Sequence, residues 1–161
     1  MSVDVDRGRC DGLTGLVTFR LGQREYATPL RAVREVVRLA GLADLPGMTP
    51  PLAGVLDLRG TALPVLDLRV NPSPGARGDV LVLEAGLPDG SDGLVDGSSV
   101  GVAVDQVRAV VGVHELSRAG APAQEGILPG YVVEVLRNQL GVVFLVDLER
   151  MVASARGTRQ T

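Results

Sequence analysis

The chain has 161 residues and a formal net charge of −3, so it is long enough for one domain with a substantial core. The negative charge removes the main electrostatic reason to bind nucleic acid or an anionic membrane. All 16 basic residues are arginines, which excludes mechanisms that need a phosphate-binding or Schiff-base lysine. With 2% aromatic residues, 21 Gly and 10 Pro, the composition favours short strands and many turns.

The N-terminal third of the chain predicts an arm followed by two strands. Residues 1–13 are polar and read as a flexible arm in a protein of the cytoplasm. Leu16–Leu21 alternates apolar and polar side chains and is a strand, and Glu25–Leu30 returns as a second strand. Leu30–Val37 stays open between a helical turn and a strand, because its valines fit helical spacing but favour extended structure.

A repeated five-residue segment predicts an antiparallel hairpin. Val55–Arg59 and Val65–Arg69 read VLDLR twice, with Gly60 and Thr61 between them to turn the chain. Alternation along each strand puts leucines on a core face and charged residues on the other face. The predicted core face holds Leu56, Leu58, Leu66 and Leu68.

The second half predicts more strands and a closing helix. The predicted strands are Asp79–Ala85, Val100–Val104, Val107–Val113, Tyr131–Leu136 and Leu140–Val146. Gly86–Ser99 and Arg118–Pro129 read as loops. A short helix is predicted over about 147–155 and a disordered tail over 156–161.

Internal repeats predict a duplication. VREVV at Val33–Val37 is answered by VRAVV at Val107–Val111, and VLDLR at Val65–Arg69 by LVDLE at Leu145–Glu149. We therefore expect two similar β units of about five short strands each. Five strands are enough to close a small barrel that hides its edges.

Few residues suggest chemistry. The single histidine, His114, and the single cysteine, Cys10, cannot form a zinc site, and no glycine-rich phosphate motif opens a helix. Asp57 and Asp67 could face each other as an acid/base pair, although such carboxylates more often cap turns or pair with arginine.

One pair of charges suggests a surface for a partner. Glu35 and Arg59 lie on two apolar segments of the same half, and in contact they would form a bidentate ion pair that orients both side chains. An ordinary exposed pair, or no contact between them, is the alternative.

Several segments of the chain resemble CheW, the coupling protein of bacterial chemosensory arrays. They are FRLGQREYATPL (Phe19–Leu30), VREVV (Val33–Val37), LAGVLDLRGTALPVLDLR (Leu52–Arg69), VGVAVDQVRAVV (Val100–Val111), GYVVEVL (Gly130–Leu136) and VFLVDLERMV (Val143–Val152). They occur in the family's order and cover nearly all of Leu16–Val152.

The resemblance implies an all-β fold of two SH3-like five-stranded barrels with short helical segments. It implies a CheW-like domain over 14–152, with one subdomain at about 14–70 and another at about 79–147. It further implies a non-enzymatic adaptor without cofactor or metal, which joins the cytoplasmic tip of a chemoreceptor to the regulatory domain of a CheA-type histidine kinase. Neither nucleic acid nor direct membrane contact is implied.

The resemblance also assigns roles to individual residues. The positions that match the receptor-binding groove are Val33, Glu35, Arg59, Gly101, Val107 and Val110. The positions that match the kinase-binding side are Gly54, Leu56 and Leu58.

Departures from the family pattern keep other hypotheses open. Asp57 stands where the family usually has Asn, and Asn71–Pro74 lacks the usual apolar-aromatic continuation. A divergent member that binds receptors without recruiting the kinase is therefore an alternative. A small-barrel enzyme or ligand binder is the third hypothesis.

Overall fold

Strands make up most of the chain. The computed structural model describes residues 15–43, 52–70, 77–84, 99–120 and 130–158, and within them it has eleven strands and one α-helix. The predicted all-β fold class is confirmed. The predicted arm over 1–13 and nearly all of the predicted loop Gly86–Ser99 lie outside the described residues. No helix in the described ranges has the length and apolar character needed to span a membrane.

The elements are numbered in chain order. The strands are β1 (Gly15–Leu21), β2 (Arg24–Pro29), β3 (Val33–Arg38), β4 (Leu52–Leu58), β5 (Thr61–Asp67), β6 (Asp79–Glu84), β7 (Ser99–Val104), β8 (Gln106–Gly112), β9 (Ser117–Gly120), β10 (Val132–Asn138) and β11 (Gly141–Val146). The helix α1 spans Leu148–Thr158.

Three local predictions are corrected or resolved. The ambiguous segment is a 3-10 turn at Leu30–Ala32 followed by β3, as its β-branched residues favour. The predicted loop Arg118–Pro129 begins inside β9, which pairs with β10. Helix α1 continues to Thr158, so residues 156–158 are helical and do not belong to a disordered tail.

The strands form two sheets. The six-stranded sheet has the order β8-β1-β2-β11-β10-β9, and the five-stranded sheet has the order β3-β6-β7-β5-β4. Neighbouring strands are antiparallel except for β2 with β11 and β7 with β5, which are parallel. The segment that follows β3 reaches the opposite edge strand β4, where Ala43 and Val55 exchange backbone hydrogen bonds of 2.9 and 2.8 Å.

The two sheets do not coincide with the two predicted subdomains at about 14–70 and 79–147. Residues 33–104 supply the whole five-stranded sheet, while β1 and β2 pair with strands from the C-terminal third. The reason lies in two long-range ladders: β3 pairs with β6, and β1 pairs with β8. Each half of the chain therefore gives its first two strands to the other half's sheet.

The predicted duplication is visible in this exchange. Five strands of the larger sheet, β8-β1-β2-β11-β10, match β3-β6-β7-β5-β4 in order and in every parallel or antiparallel pairing. The sixth strand, β9, pairs with β10, and at the matching place the described residues of the smaller sheet have an isolated bridge between Ala43 and Val55. Both sheets therefore follow one plan.

Alternation along the strands explains three apolar clusters. In β6, Val80 and Val82 lie in the five-stranded sheet's own cluster, whereas Leu81 and Leu83 lie in a cluster shared by both sheets. Side chains of a strand alternate between faces, so a strand that is buried on both faces serves two cores. Leu16 belongs to the cluster of the six-stranded sheet, and its neighbour Val17 to the shared one.

Two aspartates fix the sheets to each other. The Asp79 carboxylate on β6 accepts a hydrogen bond of 2.8 Å from the Val107 amide on β8. The Asp105 carboxylate, between β7 and β8, accepts bonds from the Gly22 and Val70 amides at 2.8 and 3.4 Å. These bonds cross from one sheet to the other, so they set the position of β8 relative to the smaller sheet.

Candidate functional site

The hairpin of β4 and β5 presents Arg59 at its tip. Leu58 pairs with Thr61, so the two turn residues are Arg59 and Gly60, one position earlier than the predicted turn. Their φ angles are 49° and 86°. A tight hairpin turn of this type needs positive φ at both positions, which an arginine rarely adopts. Arg59 is thus held in a conformation that Asn or Gly would adopt more readily.

Arg59 forms the predicted bidentate ion pair with Glu35. Arg59 Nη2 lies 2.7 Å from Glu35 Oε2, and Arg59 Nη1 lies 3.2 Å from Glu35 Oε1. The two side chains come from β3 and from the end of β4, the two edges of one sheet. Arg59 is 67% exposed and Glu35 29%. The curvature of the sheet therefore creates a fixed, exposed charge pair.

The pair keeps both groups charged. The hydrogen bonds from Arg59 lower the pKa of the Glu35 carboxyl below its usual range. The same hydrogen bonds raise the pKa of the Arg59 guanidinium. Glu35 is consequently an anion at neutral pH, and the pair has a stable polarity that a partner can recognise.

Two valines of β3 lie on the face opposite to Glu35, because they pair with Leu83 and Leu81 of the shared cluster. Glu35 pairs with Val82 of the five-stranded sheet's own cluster. Val33 is half-buried against the shared cluster, and Val36 is an exposed valine on the same strand. Sequence reasoning did not select Val36. Its signal lies in the alternation of β3, where every second residue turns outward.

Arg34 adds a second charge contact on this strand. Its Nη1 donates to Ser99 Oγ at 3.0 Å, and its Nε lies 3.8 Å from Glu84 Oε2. These contacts hold the exposed side of β3 against β6 and β7. The Glu35–Arg59 pair therefore lies on a strand that is fixed from both sides.

Val107 and Val110 lie on β8, which occupies in the larger sheet the place of β3 in the smaller one. Val107 packs against the same shared cluster as Val33, and its amide is fixed by Asp79. Val110 is 60% exposed. Among the predicted receptor-binding residues, the structure brings Glu35 and Arg59 into contact and places Val33 and Val107 on one apolar cluster.

Gly101 differs from the other predicted receptor-binding residues because it is buried. A Cβ at this position would lie 2.7 Å from Val80 Cγ1 and 3.0 Å from Leu63 Cδ2. Close packing inside the five-stranded sheet therefore explains the glycine. Its contact with a receptor remains a prediction, without support from exposure.

Asp57 and Asp67 do not face each other, and they take the commoner roles of such carboxylates, capping a turn and pairing with arginine. Asp57 lies opposite Ala62, whereas Asp67 lies beyond the far end of the ladder, where Leu66 pairs with Leu52. Each aspartate also has its own partner. Asp57 Oδ1 accepts from the Gly60 amide at 2.9 Å, and Asp67 accepts from Arg69 Nε at 2.9 Å. Both carboxylates thus shape the hairpin.

Comparison with known proteins agrees with this fold. The family model described as a CheW-like domain matches residues 15–156. The chain belongs to the CheW-like family. Chemotaxis protein CheW of Treponema pallidum is 24% identical over 147 residues, covering 86% of this chain and 82% of the relative. Chemotaxis protein CheW of Bacillus subtilis is 28% identical over 115 residues, covering 70% of this chain and 67% of the relative.

A solved structure shows the same fold. The scaffolding protein TtCheW from Thermoanaerobacter tengcongensis superposes with a TM-score of 0.63 at 19% identity. The match covers 84% of this chain and 85% of TtCheW. At this identity the likeness concerns the arrangement of strands.

The predicted kinase-binding residues of this CheW-like chain have little exposed surface. Leu56 is buried in the five-stranded sheet's cluster and Leu58 is half-buried against it. Gly54 is buried too, and a Cβ there would lie 2.5 Å from the Ala43 carbonyl oxygen. These residues fix the shape of β4, and a direct kinase contact remains a prediction for them.

Two departures from the family pattern have different outcomes. Asp57 replaces the usual Asn, but its Oδ1 accepts the Gly60 amide bond that the oxygen of an Asn could equally accept. The turn is therefore retained. The segment Asn71–Pro74 lies outside the described residues.

The described part of the chain offers no metal site. It contains no group of three or more His, Cys, Asp or Glu side chains placed to bind a metal ion. His114 lies on an exposed 3-10 turn at Val113–Glu115. The exposed ion pair of Glu35 and Arg59 remains the leading functional feature.

Proposed function

We propose that this protein is a non-enzymatic adaptor of a cytoplasmic chemosensory array. It couples the tip of a methyl-accepting chemoreceptor to the regulatory domain of a CheA-type histidine kinase. Family membership over residues 15–156 supports the adaptor class. The single observation that carries the receptor contact is the exposed bidentate pair of Glu35 and Arg59.

The surface has the features of a recognition site. Arginine is enriched at protein interfaces, and an exposed charge pair sets the orientation of a partner more than it adds affinity. Here Val36 adds an exposed apolar side chain on the same strand, on the face opposite to Glu35. Weak contacts of this kind gain strength when many copies are held in one array.

A rigid binding surface is an advantage for a protein that holds two partners in a fixed arrangement. The aspartates that cross between the sheets hold β8 in a fixed position relative to the five-stranded sheet, in which β3 is an edge strand. A receptor that touches both edge strands would meet a preformed surface and would lose little binding energy to ordering it. The kinase would be held at a second surface of the same rigid body.

The proposal is tested by calorimetric titration of the purified protein against two partners from the same genome. The partners are a chemoreceptor tip fragment and a CheA regulatory domain. Arg59→Glu should weaken receptor binding by at least about tenfold, as truncation of an interface hot spot does. Arg137→Glu is the matched control, because Arg137 is an exposed arginine on β10 of the other sheet.

Each outcome has a definite meaning. Binding to both partners supports the full adaptor, and binding to the receptor alone supports the divergent member without kinase recruitment. Failure to bind either partner would contradict the proposal. If Arg59→Glu unfolds the protein, as judged by circular dichroism, Arg59 is structural and the assigned receptor site is wrong.

A further inference from the structure

A groove lies at one end of the six-stranded sheet, away from Glu35 and Arg59. Its volume is about 470 Å³, and it is lined by residues of the β1–β2 turn, the β10–β11 turn and β8. The parallel pairing of β2 with β11 brings the two turns to the same end of the sheet. No residue of the charge pair contributes to it.

The groove has a local excess of positive charge. Arg20, Arg24 and Arg108 line it together with a single carboxylate, Glu25. Arg108 Nε lies 3.9 Å from Glu25 Oε2, which is a long contact. Among the described residues, no carboxylate lies close enough to Arg20 or Arg24 to form an ion pair. The groove therefore has two unbalanced positive charges, although the whole chain has a net charge of −3.

One of these arginines is already positioned over an aromatic ring. The Arg24 guanidinium carbon lies 5.6 Å from the centre of the Phe144 ring. This cation–π contact restricts the position of the guanidinium, whose planar N–H donors can bind a carboxylate bidentately. The groove thus offers an oriented donor pair, which a flexible lysine would not.

Apolar side chains lie directly beside these charges. Leu140, in the β10–β11 turn, is 87% exposed, and Val142 next to it is exposed as well. The corresponding turn position in the five-stranded sheet is Gly60, so the fold does not need a large apolar residue there. Leu140 and Val142 therefore give this edge of the groove an apolar surface on which an apolar side chain could pack.

We propose that this groove binds an acidic peptide segment of a partner protein. Carboxylates of the segment pair with Arg20, Arg24 and Arg108, and an apolar side chain of the segment packs on Leu140 and Val142. Charge complementarity selects the peptide, because guanidinium groups bind carboxylates bidentately. The groove is lined mostly by exposed or half-exposed residues, whereas a small-molecule site encloses its ligand.

This surface goes beyond the proposed function and rests on other residues. The receptor contact uses the five-stranded sheet, and the groove belongs to the six-stranded sheet. A protein with both surfaces could hold two partners at once. The two proposals can therefore fail separately.

The test uses the full chain, isotopically labelled for NMR, and three synthetic peptides. The first alternates Glu and Leu, the second alternates Gln and Leu, and the third alternates Glu and Ser. At about 1 mM, a concentration that reveals even weak binding, the Glu–Leu peptide should shift the amide resonances of Arg20–Glu25 and Asn138–Val142. The other two peptides should shift them much less.

Variants of the groove separate the apolar contribution to peptide binding from the contribution of charge. Leu140→Ser removes an 87% exposed side chain and should weaken Glu–Leu peptide binding by about fivefold without changing the melting temperature. Arg24→Gln should weaken binding to a similar degree and make it less dependent on salt. Arg59→Asn, in the other sheet, is the control and should leave peptide binding unchanged.

Three results would overturn the proposal. They are the absence of shifts in the groove, equal binding of the Glu–Ser peptide, and displacement of the peptide by inorganic phosphate at equal concentration. The second and third results would mean that the arginines form a general anion patch. If the wild-type protein binds the Glu–Leu peptide but does not bind a receptor fragment, only the proposed function is overturned.

Discussion

Glu35 on β3 contacts Arg59 in the β4–β5 turn, whereas the matching positions of the six-stranded sheet hold Ala109 on β8 and Gln139 in the β10–β11 turn. The match rests on the repeats VREVV and VRAVV and on the two-residue turns that Leu58 with Thr61 and Asn138 with Gly141 close. One sheet therefore forms without the charge pair. The pair is a property of one surface and is not required by the strand order.

Inside the sheets the matching positions are alike. Val65 and Leu145 each lie in the cluster of their own sheet, while the next residues, Leu66 and Val146, both lie in the shared cluster. The duplication thus preserves which face of each strand is buried. The exposed residues described above differ between the two sheets, whereas the matching buried residues face equivalent clusters.

The largest expected effect comes from removing a shared core side chain. Leu66 is fully buried between the sheets, so Leu66→Ala should lower the free energy of unfolding by about 2–5 kcal/mol. Val146→Ala, at the matching position, should cost less because fewer carbon atoms are removed. Urea denaturation measures both, and a loss below about 0.5 kcal/mol for Leu66→Ala would show that the inward register is wrong.

The next prediction concerns a buried position at which the two sheets have different residues. Gly101 pairs with Val65 and Ala27 pairs with Leu145, so glycine in one sheet matches alanine in the other. Gly101→Ala should destabilise the protein by about 1–3 kcal/mol, because the new methyl group would lie too close to Val80 and Leu63.

The matched substitution in the other sheet gives the control. Ala27→Gly creates no clash and should cost only about 0.5–1 kcal/mol. Thermal unfolding of the two variants side by side measures the difference. If Gly101→Ala has no effect, the packing around β7 is looser than described and the burial of Gly101 does not explain its identity.

A smaller effect depends on pH. Burial tends to raise the pKa of Asp67, but the hydrogen bonds from the Arg69 side chain and amide outweigh it and lower the pKa below its usual value. A lowered pKa in the folded state contributes stability above the unfolded pKa, and this stability is lost as the pH falls through the folded pKa. The stability difference between wild type and Asp67→Asn should therefore shrink between about pH 6 and about pH 2. A difference that stays constant over this range would contradict the ion pair.

Arg59→Asn should have the smallest effect on stability. It places Asn-Gly in the turn, the preferred sequence for positive φ at both positions, while it removes the contact with Glu35. We expect an equal or higher melting temperature. A clear fall in the melting temperature would mean that the pair closes the sheet and does more than present a surface.

The sequence predicts the faces of the strands better than their partners. Alternation in β6 separates Val80 and Val82 from Leu81 and Leu83, because a period of two follows from the backbone alone. It does not reveal that β1 pairs with β8, since pairing over such distances depends on the packing of the whole domain. The exchange of strands between the repeats was therefore not predicted.

The candidate site could also be predicted only in part from the sequence. The opposite charges of Glu35 and Arg59 and the hairpin that carries Arg59 are visible in the sequence. Alternation also predicted Leu56 on the core face, and Leu56 is buried. The burial of Gly101 is not visible, because Val80 and Leu63, which pack against it, come from other strands of the sheet. Strand β9 was missed because Ser117–Gly120 has no apolar alternation.

The most direct test compares the two turns in one binding experiment. A chemoreceptor tip fragment is titrated into wild type, Arg59→Asn and the matched variant Gln139→Asn of the other sheet. If the charge pair is the recognition surface, Arg59→Asn should weaken binding by about tenfold or more, and Gln139→Asn should bind like wild type. Equal affinity of all three proteins would show that the difference between the sheets has no role in receptor binding.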